Sequence, residues 1–502
     1  MNRTSGTFRR VTGAALALSV GLVLVVSGTA QAATSVKGKA ALADAPLPFA
    51  FATTGWTLAD IPDGQKPYQA STAASLSDPK PHDANGVRKF VLNGKTYDHP
   101  QGQAALGLSM LDGYRVTKNQ KYLDIALANA SRLVATKVVD TTVVSDGAWF
   151  FPYRFDFALH RYPAFTMKAP WYSGMAQGQA LGLFSRLAAV TGDAQWRTAA
   201  DRTFASFLIA KRSTGPWVSE PDPDGHLWIE EYAAPTGKPP SDRTFNGHNF
   251  AVSGLYDYWQ LSKDDRADKL ADGAMTASLA HMPQIRQAAW LSHYCLAHPE
   301  VTSSGYHAIH VGQLLWFHQF TGDYRFARWA DTLMADYPSA KQTGSVRLLR
   351  GLHAGYQFTA TGGLLRVKTI SLSRASSAPI AERKRIKHRS GYYYLVTAGM
   401  LKGYYVREAV GSQYLLGTRI LESYRTTRYV QLAANAKVGI VSVSPSGGLV
   451  VHAGTVTYPA ATNMIIDARG VVNGVDRVRV GSGKWKGWWL AAGQVKYDPA
   501  VS

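Results

Sequence analysis

Glu230-Glu231-Tyr232 follows directly on Leu227-Trp228-Ile229, placing two carboxylates in apolar, aromatic company. Such surroundings raise a carboxyl pKa towards neutrality and make it a usable general base. Adjacent carboxylates also decorate solvated surfaces, so the pair by itself selects neither member. Two further segments join a phenol to imidazoles: Ser292-His293-Tyr294-Cys295-Leu296-Ala297-His298 and Gly305-Tyr306-His307-Ala308-Ile309-His310. One tyrosine among 25 is ordinarily a core or rim residue, so Tyr294 and Tyr306 need support from elsewhere. His307 and His310, at i and i+3, fall on one face of a helix, with His293 and His298 close in sequence. No H-E-x-x-H motif or cysteine pair accompanies them, and four histidines within eighteen residues suit an acidic-sugar cleft. The expectation is therefore no metal and no cofactor. Cys295 is the only cysteine, which excludes a disulfide framework and a thiolate cluster within one chain.

Helical hairpins must position these groups. Pro100-Gln101-Gly102-Gln103-Ala104-Ala105-Leu106-Gly107-Leu108 opens a helix that ends near Thr117-Lys118-Asn119. Ala176-Gln177-Gly178-Gln179-Ala180-Leu181-Gly182-Leu183 leads to Thr191-Gly192-Asp193, and Gly247-His248-Asn249-Phe250-Ala251 leads to Leu261-Ser262-Lys263. Val311-Gly312-Gln313-Leu314-Leu315 leads to Thr321-Gly322-Asp323. Each unit reads as helix, tight turn, helix. No single hairpin has a core of its own, so the units must stack, and their wide spacing predicts an (α/α) toroid or barrel over 91–341. From 342 the runs become β-branched and aromatic, as in Leu364–Leu372, and predict an all-β region over 342–502. Within it Gly399-Met400-Leu401-Lys402-Gly403-Tyr404-Tyr405-Val406 is echoed by Gly483-Lys484-Trp485-Lys486-Gly487-Trp488-Trp489-Leu490, which predicts two related repeats.

The 502 residues carry 54 Lys and Arg against 34 Asp and Glu, a formal charge of +20. Residues 33–340 are neutral, with 28 of each sign, whereas 341–502 hold 23 basic and 6 acidic side chains. That distribution speaks against a uniformly basic nucleic-acid binder. The basic end, with Lys402-Gly403-Tyr404-Tyr405 and Lys486-Gly487-Trp488-Trp489 placing a cation beside paired aromatics, suits an anionic glycan such as a wall or capsule polymer. Arg3, Arg9 and Arg10 precede a short apolar run and an Ala30-Gln31-Ala32 ending, which predicts a secretory signal peptide over 1–32 and a secreted protein with no transmembrane segment after cleavage. Residues 33–90, rich in Pro and Ala, read as an extended leader wrapping the next domain.

Five segments, in order, resemble the D-glucuronyl C5-epimerases. Pro170-Trp171-Tyr172-Ser173-Gly174-Met175-Ala176-Gln177-Gly178-Gln179 is similar to the family's W-Y-S-A-M-A-Q-G-Q, and Glu230-Glu231-Tyr232 to its E-E-Y. Phe245-Asn246-Gly247 with Gly254-Leu255-Tyr256-Asp257 resembles L-N-G…G-L-Y-D. Tyr294-Cys295-Leu296-Ala297-His298 resembles Y-D-L-R-H, with Cys295 for Asp and Ala297 for Arg; Tyr306-His307-Ala308-Ile309-His310-Val311-Gly312-Gln313 resembles Y-H-T-T-H-I-N-Q. The resemblance implies an α/α catalytic barrel that inverts C5 of D-glucuronyl residues in a polysaccharide, giving L-iduronyl residues. It implies catalytic Glu231, Tyr232, Tyr294 and Tyr306, with substrate contacts from Tyr172, Gln177, Gln179, Asn246, His298, His307 and His310. Three other readings share parts of this site: a polysaccharide lyase using the same proton abstraction, a non-catalytic polysaccharide binder, and a glycoside hydrolase drawing on Glu230, Glu231, Asp156 or Asp257.

Overall fold

The computed structural model describes residues 46–337, 342–444 and 450–497; the segment read as a signal peptide, and the leader up to residue 45, lie outside the described residues. Eight α-helices among the described residues form four hairpins: α1 (Pro100–Thr117) with α2 (Gln120–Thr136), α3 (Gly174–Thr191) with α4 (Ala194–Ala205), α5 (Phe245–Ser262) with α6 (Asp265–Ile285), and α7 (Ser304–Thr321) with α8 (Tyr324–Asp336).

One turn design closes all four hairpins. The first helix ends on a single left-handed residue, Lys118, Gly192, Lys263 or Gly322, and the second is N-capped by Asn119, Asp193, Asp264 or Asp323. A hydroxyl two residues before each cap, on Thr117, Thr191, Ser262 or Thr321, donates to the carbonyl four residues back and accepts the cap residue's N–H. Side-chain capping of this kind stabilises a helix start by about 1 kcal/mol.

The first helices of the hairpins, α1, α3, α5 and α7, pack side by side in that order, each backed by its partner. Contact between α3 and α5 is the closest. A Cβ on Gly254 would lie 1.8 Å from the Gly178 carbonyl oxygen, and one on Gly178 would lie 2.3 Å from Ala251 Cα. Backbone meets backbone there, with no side chain able to yield. Gly254→Ala is expected to destabilise the protein by about 3 kcal/mol through overpacking, read as a lowered denaturant midpoint.

Residues 46–81 run as extended chain across the C-terminal ends of the first helices. Lys66 Nζ and Tyr68 Oη donate to Asp257 Oδ1 at 2.6 and 2.7 Å, Arg186 Nε donates to Asp257 Oδ2 at 2.8 Å, and Ala70 N donates to Asp112 Oδ2 at 2.7 Å. Tyr68 also packs edge-on against Trp316 and Phe320 of α7. With the Arg186 guanidinium of α3 over the Tyr68 ring at 5.0 Å, the strap touches all four first helices and seals one end of the row. Asp257, one of the carboxylates available to a hydrolase, is fully engaged here, and Asp156 is an exposed ion-pair partner of Lys168.

After residue 342 the chain is β. The first unit holds β1 (Gly344–Leu348), β2 (Gly351–Phe358), β3 (Leu364–Leu372), β4 (Ser376–Lys384), β5 (Tyr393–Val396), β6 (Tyr405–Arg407) and β7 (Gln413–Leu415). The second holds β8 (Thr418–Leu432), β9 (Val438–Val443), β10 (Val450–Val456), β11 (Thr462–Val472), β12 (Val475–Val480), β13 (Trp489–Ala491) and β14 (Lys496–Tyr497). Strand order is β3-β2-β6-β5-β4-β1-β7 in one sheet and β10-β9-β13-β12-β11-β8-β14 in the other, the same antiparallel order. The two echoed segments form the turns that enter β6 and β13. Gly399 and Gly403 have φ of 77° and 79°, and Gly483 and Gly487 have 71° and 84°, a left-handed backbone that favours glycine. The second unit docks on α8, where the buried Arg428 guanidinium meets Asp331 at 2.8 Å.

Candidate active site

At the end opposite the strap, the N-terminal turns of α1, α3, α5 and α7 surround a cleft of about 530 Å³. Gln101 and Ala105 come from α1, Met175 and Gln179 from α3, Asn246 and Phe250 from α5, and Tyr306 and Ile309 from α7. One cleft walled by both the first and the last of these helices requires the row to curve round on itself. Four helix N-termini facing it favour negative charge there.

Glu231 reaches the cleft from the segment after the strand Leu227–Ile229. That segment is held by Gly174 N donating to Glu230 O at 2.7 Å and by the Tyr172–Ala233 bridge. Gly247, in the first turn of α5, makes room for the carboxylate: a Cβ there would lie 1.9 Å from Glu231 Oε2. Glu231 Oε2 is buried without a hydrogen-bond partner, and burial raises the carboxyl pKa to about 8. The Tyr232 and Tyr294 hydroxyls lie 3.1 Å apart, and the Tyr294 and Tyr306 rings are 4.4 Å apart between centroids. Burial, reinforced by the nearby Glu231 charge, holds all three phenols above their usual pKa, so they keep their protons at neutral pH. Tyr306 is the accessible one, at 39% exposure. The structure thus brings Glu231, Tyr232, Tyr294 and Tyr306 into one acid–base cluster.

Glu230, the other carboxylate of the pair, does not line the cleft. It is wholly buried, and its oxygens accept from Tyr232 N at 2.9 Å and Arg243 N at 3.0 Å. Burial, with the Asp242 charge, raises its pKa to about 8 as well. Glu230→Gln puts an amide NH₂ against one of those N–H donors, and about 1–3 kcal/mol of stability is expected to be lost, seen as a lower Tm.

Of the expected substrate contacts, Gln179 and Asn246 line the cleft, and Asn246 Oδ1 is buried without a partner. The others lie away from it for reasons of periodicity. On α3, Met175 and Gln179 share a face, while Gln177 points the other way, accepting from Phe151 N and donating to Trp149 O and Ser206 Oγ. In the extended stretch before α3, Trp171 faces the cleft and its neighbour Tyr172 packs on Phe150 instead. On α7, Tyr306 and Ile309 face the cleft, and His307 and His310, one position on from each, are buried on Ser292. His298 turns into a cluster with Asp242 and Cys295. The cleft also has an aromatic wall of Phe90, Tyr153, Phe155, Phe157 and Trp171, of which only Trp171 falls within one of the sequence motifs. Its rings stack on one another, Tyr153 on Trp171 at 3.9 Å and Phe157 on Tyr232 at 6.1 Å. Tyr153, Phe155 and Trp171 are buried, which leaves Phe90 and Phe157 as the partly exposed rings of the wall.

Stacked helical hairpins around a cleft lined by one buried carboxyl, the Tyr232 and Tyr306 phenols with Tyr294 behind them, and an aromatic wall form an enzyme-like site suited to proton transfer. Residues 145–333 match the family described as D-glucuronyl C5-epimerase C-terminus. Among solved structures, the chain is similar to a cellobiose 2-epimerase from Spirochaeta thermophila, with 12% identity over 51% of this chain and 65% of that one, at a TM-score of 0.36. It is similar to an alpha-mannanase from Bacteroides thetaiotaomicron (13%, 50% and 58%, TM-score 0.34) and to an unsaturated glucuronyl hydrolase from Streptococcus agalactiae (12%, 46% and 56%, TM-score 0.31). The chain spans less than two thirds of the length of each, and likeness at these scores carries no argument about its chemistry.

Proposed function

We propose that this protein is a secreted polysaccharide epimerase that inverts C5 of D-glucuronyl residues. The observation that carries the reading is the buried Glu231 carboxyl, its Oε2 without a partner and its pKa near 8, grouped with three protonated phenols beside one cleft. C5–H of a uronate is weakly acidic because it stands α to a carboxylate. Ionised Glu231 takes that proton, and charge passes into the carboxylate as an enolate. The phenols and helix N-termini supply hydrogen bonds and positive potential where this charge develops. A phenol, for which Tyr306 is the accessible choice, then donates its proton to the opposite face of C5, and Glu231 returns a proton to the phenolate through Tyr232 and Tyr294. No atom is lost, and the reaction runs in both directions. Ala297, where the family has Arg, removes one cation from the carboxylate's surroundings and leaves that task to the helix N-termini.

The basic β region is the part of the chain that would hold an anionic glycan. Lys484 lies over Trp485 at 5.0 Å and Lys368 over Tyr404 at 5.8 Å. The basic run Arg383-Lys384-Arg385-Ile386-Lys387-His388-Arg389 is only partly available: Arg383 is buried against Glu408, and Arg385 donates to Ala335 O. The intact chain is expected to bind acidic polysaccharide at low salt and to release it at ~0.5 M salt, where exposed charges are screened. Retention unchanged by salt would remove the charge argument. No helix among the described residues is long and apolar enough to cross a membrane.

Incubation with uronate polymers in D₂O tests the activity. Deuterium at C5 without chain cleavage supports the epimerase. An unsaturated uronate end means a lyase, a new reducing end means a hydrolase, and binding without any of these leaves a polysaccharide-binding protein.

A further inference from the structure

Four side chains from three separate loops converge beneath Tyr294. His160 lies between the short strands Phe157–Ala158 and Thr166–Met167, Asp242 lies just ahead of α5, and Cys295 and His298 lie on the loop before α7. His160 Nε2 and His298 Nδ1 sit 3.0 and 2.7 Å from the same oxygen, Asp242 Oδ1. Cys295 Sγ lies 3.6 Å from His160 Nε2 and 3.8 Å from His298 Nδ1, and one ligand atom of each residue falls within 4.8 Å of all the others. The His160, Asp242 and His298 side chains are 7%, 0% and 7% exposed, and Cys295 is fully buried. His298 Nε2 has no partner, so the ring's polar contacts all lie within this cluster.

We propose that His160, Asp242, Cys295 and His298 form a structural zinc(II) site. Sulfur, two imidazole nitrogens and one carboxylate oxygen are the donor set of a borderline-soft ion and not of Ca²⁺ or Mg²⁺. A tetrahedral Zn²⁺, with bonds of about 2.0 Å to nitrogen or oxygen and about 2.3 Å to sulfur, spaces its ligands roughly 3.3–3.8 Å apart. Both sulfur distances already match, and the Asp242 oxygen must withdraw from the imidazoles by only a few tenths of an ångström. Thr244 Oγ1, donating to Asp242 Oδ2 at 2.6 Å, orients the carboxylate from behind. Four protein ligands in a buried cluster leave no open position, the mark of a structural site as opposed to a catalytic one. Binding releases the Cys295 thiol proton to solvent; the His160 Nε2 and His298 Nδ1 lone pairs and the Asp242 carboxylate complete the shell. The His307–His310 pair considered from sequence is not involved, since both imidazoles are spent on Ser292. The ion would clip three loops together next to Tyr294, whose ring stands 5.4 Å from that of His160.

The test is made on the full chain, stripped with a chelator, and does not use activity. Titration with Zn²⁺ against a competing chromophoric chelator is expected to show a tight site, and Co²⁺ alone to give a thiolate-to-metal charge-transfer band. Zn²⁺ should raise Tm in a concentration-dependent way. Cys295→Ser should abolish the cobalt band and weaken Zn²⁺ binding by roughly 100-fold or more. Asp222→Asn, in a separate Asp222/His226/His281 group, should leave the band intact. Absence of the cobalt band in the unsubstituted chain overturns the proposal whether or not any variant folds, as does Cys295→Ser binding Zn²⁺ as tightly as the parent.

Discussion

Glu231→Gln lowers C5 proton exchange by roughly 10²–10⁴-fold, the range for loss of a general base. Polymer binding changes little, because the amide keeps the shape of the carboxylate and the aromatic wall is untouched. The parent's kcat/KM should climb with pH through an apparent pKa near 8, where the base becomes ionised. Stability runs the other way. A carboxyl with a folded pKa of about 8, against an ordinary value of 4.5, binds more protons folded than unfolded across that window. Its contribution to stability is complete below about pH 4.5 and is lost as the pH rises towards 8. Glu231→Gln removes that loss, so the variant should melt higher than the parent at pH 9, while Glu230 keeps part of the pH slope in both. A dead enzyme of greater alkaline stability is the signature of a site carboxylate. Near-parental exchange in this variant would remove Glu231 from the mechanism.

Tyr306→Phe and Tyr294→Phe should each cost about 10²-fold or more in exchange, with KM far less affected. The two differ in what else they disturb. Tyr306 is exposed at the cleft, so its hydroxyl can be removed with little change in Tm. Tyr294 is buried and shares a hydrogen bond with Tyr232, so its loss should also cost about 1 kcal/mol of stability. Deuterium incorporation in D₂O and thermal melts on the same preparations separate the two effects. If both variants exchange at near-parental rates, the phenols are not the proton donors.

Local chemistry in this chain is legible because it is local. The hairpin turns could be read at Thr191-Gly192-Asp193 and Thr321-Gly322-Asp323, since a left-handed residue followed by a capping Asp is a property of three consecutive side chains. The echo between residues 399–406 and 483–490 is likewise visible in the string, and it falls at the same place in two sheets of identical order. Direction within an element was harder. Gln177 and Gln179 look equivalent in a motif, but two residues on a helix are about 200° apart, and only one can face the cleft. His307 and His310 differ from Tyr306 and Ile309 by one position each, which was enough to bury them. Sites assembled from distant loops were not legible at all. His160 and Asp242 stand 82 residues apart, and no spacing rule joins them to Cys295 and His298.

The strap over residues 46–81 has a consequence for how the chain reaches its fold. Its bonds to Asp257 join residues 189 and 191 apart, and those from Thr54 and Gly55 to Asp272 span 218 and 217. At equilibrium such distance costs little, since each doubling of loop length adds only about 0.6 kcal/mol. Kinetically it matters more, because non-local contacts form only after the intervening chain has been gathered. The strap is the first part of the described chain to be synthesised and among the last able to dock. Until α5 is in place, Lys66 has no Asp257 to meet, and Arg186 and Asp257 lack the cation and phenol that complete their burial. Sealing that end of the row is thus expected to be a late step of folding, set by the order of the elements along the chain.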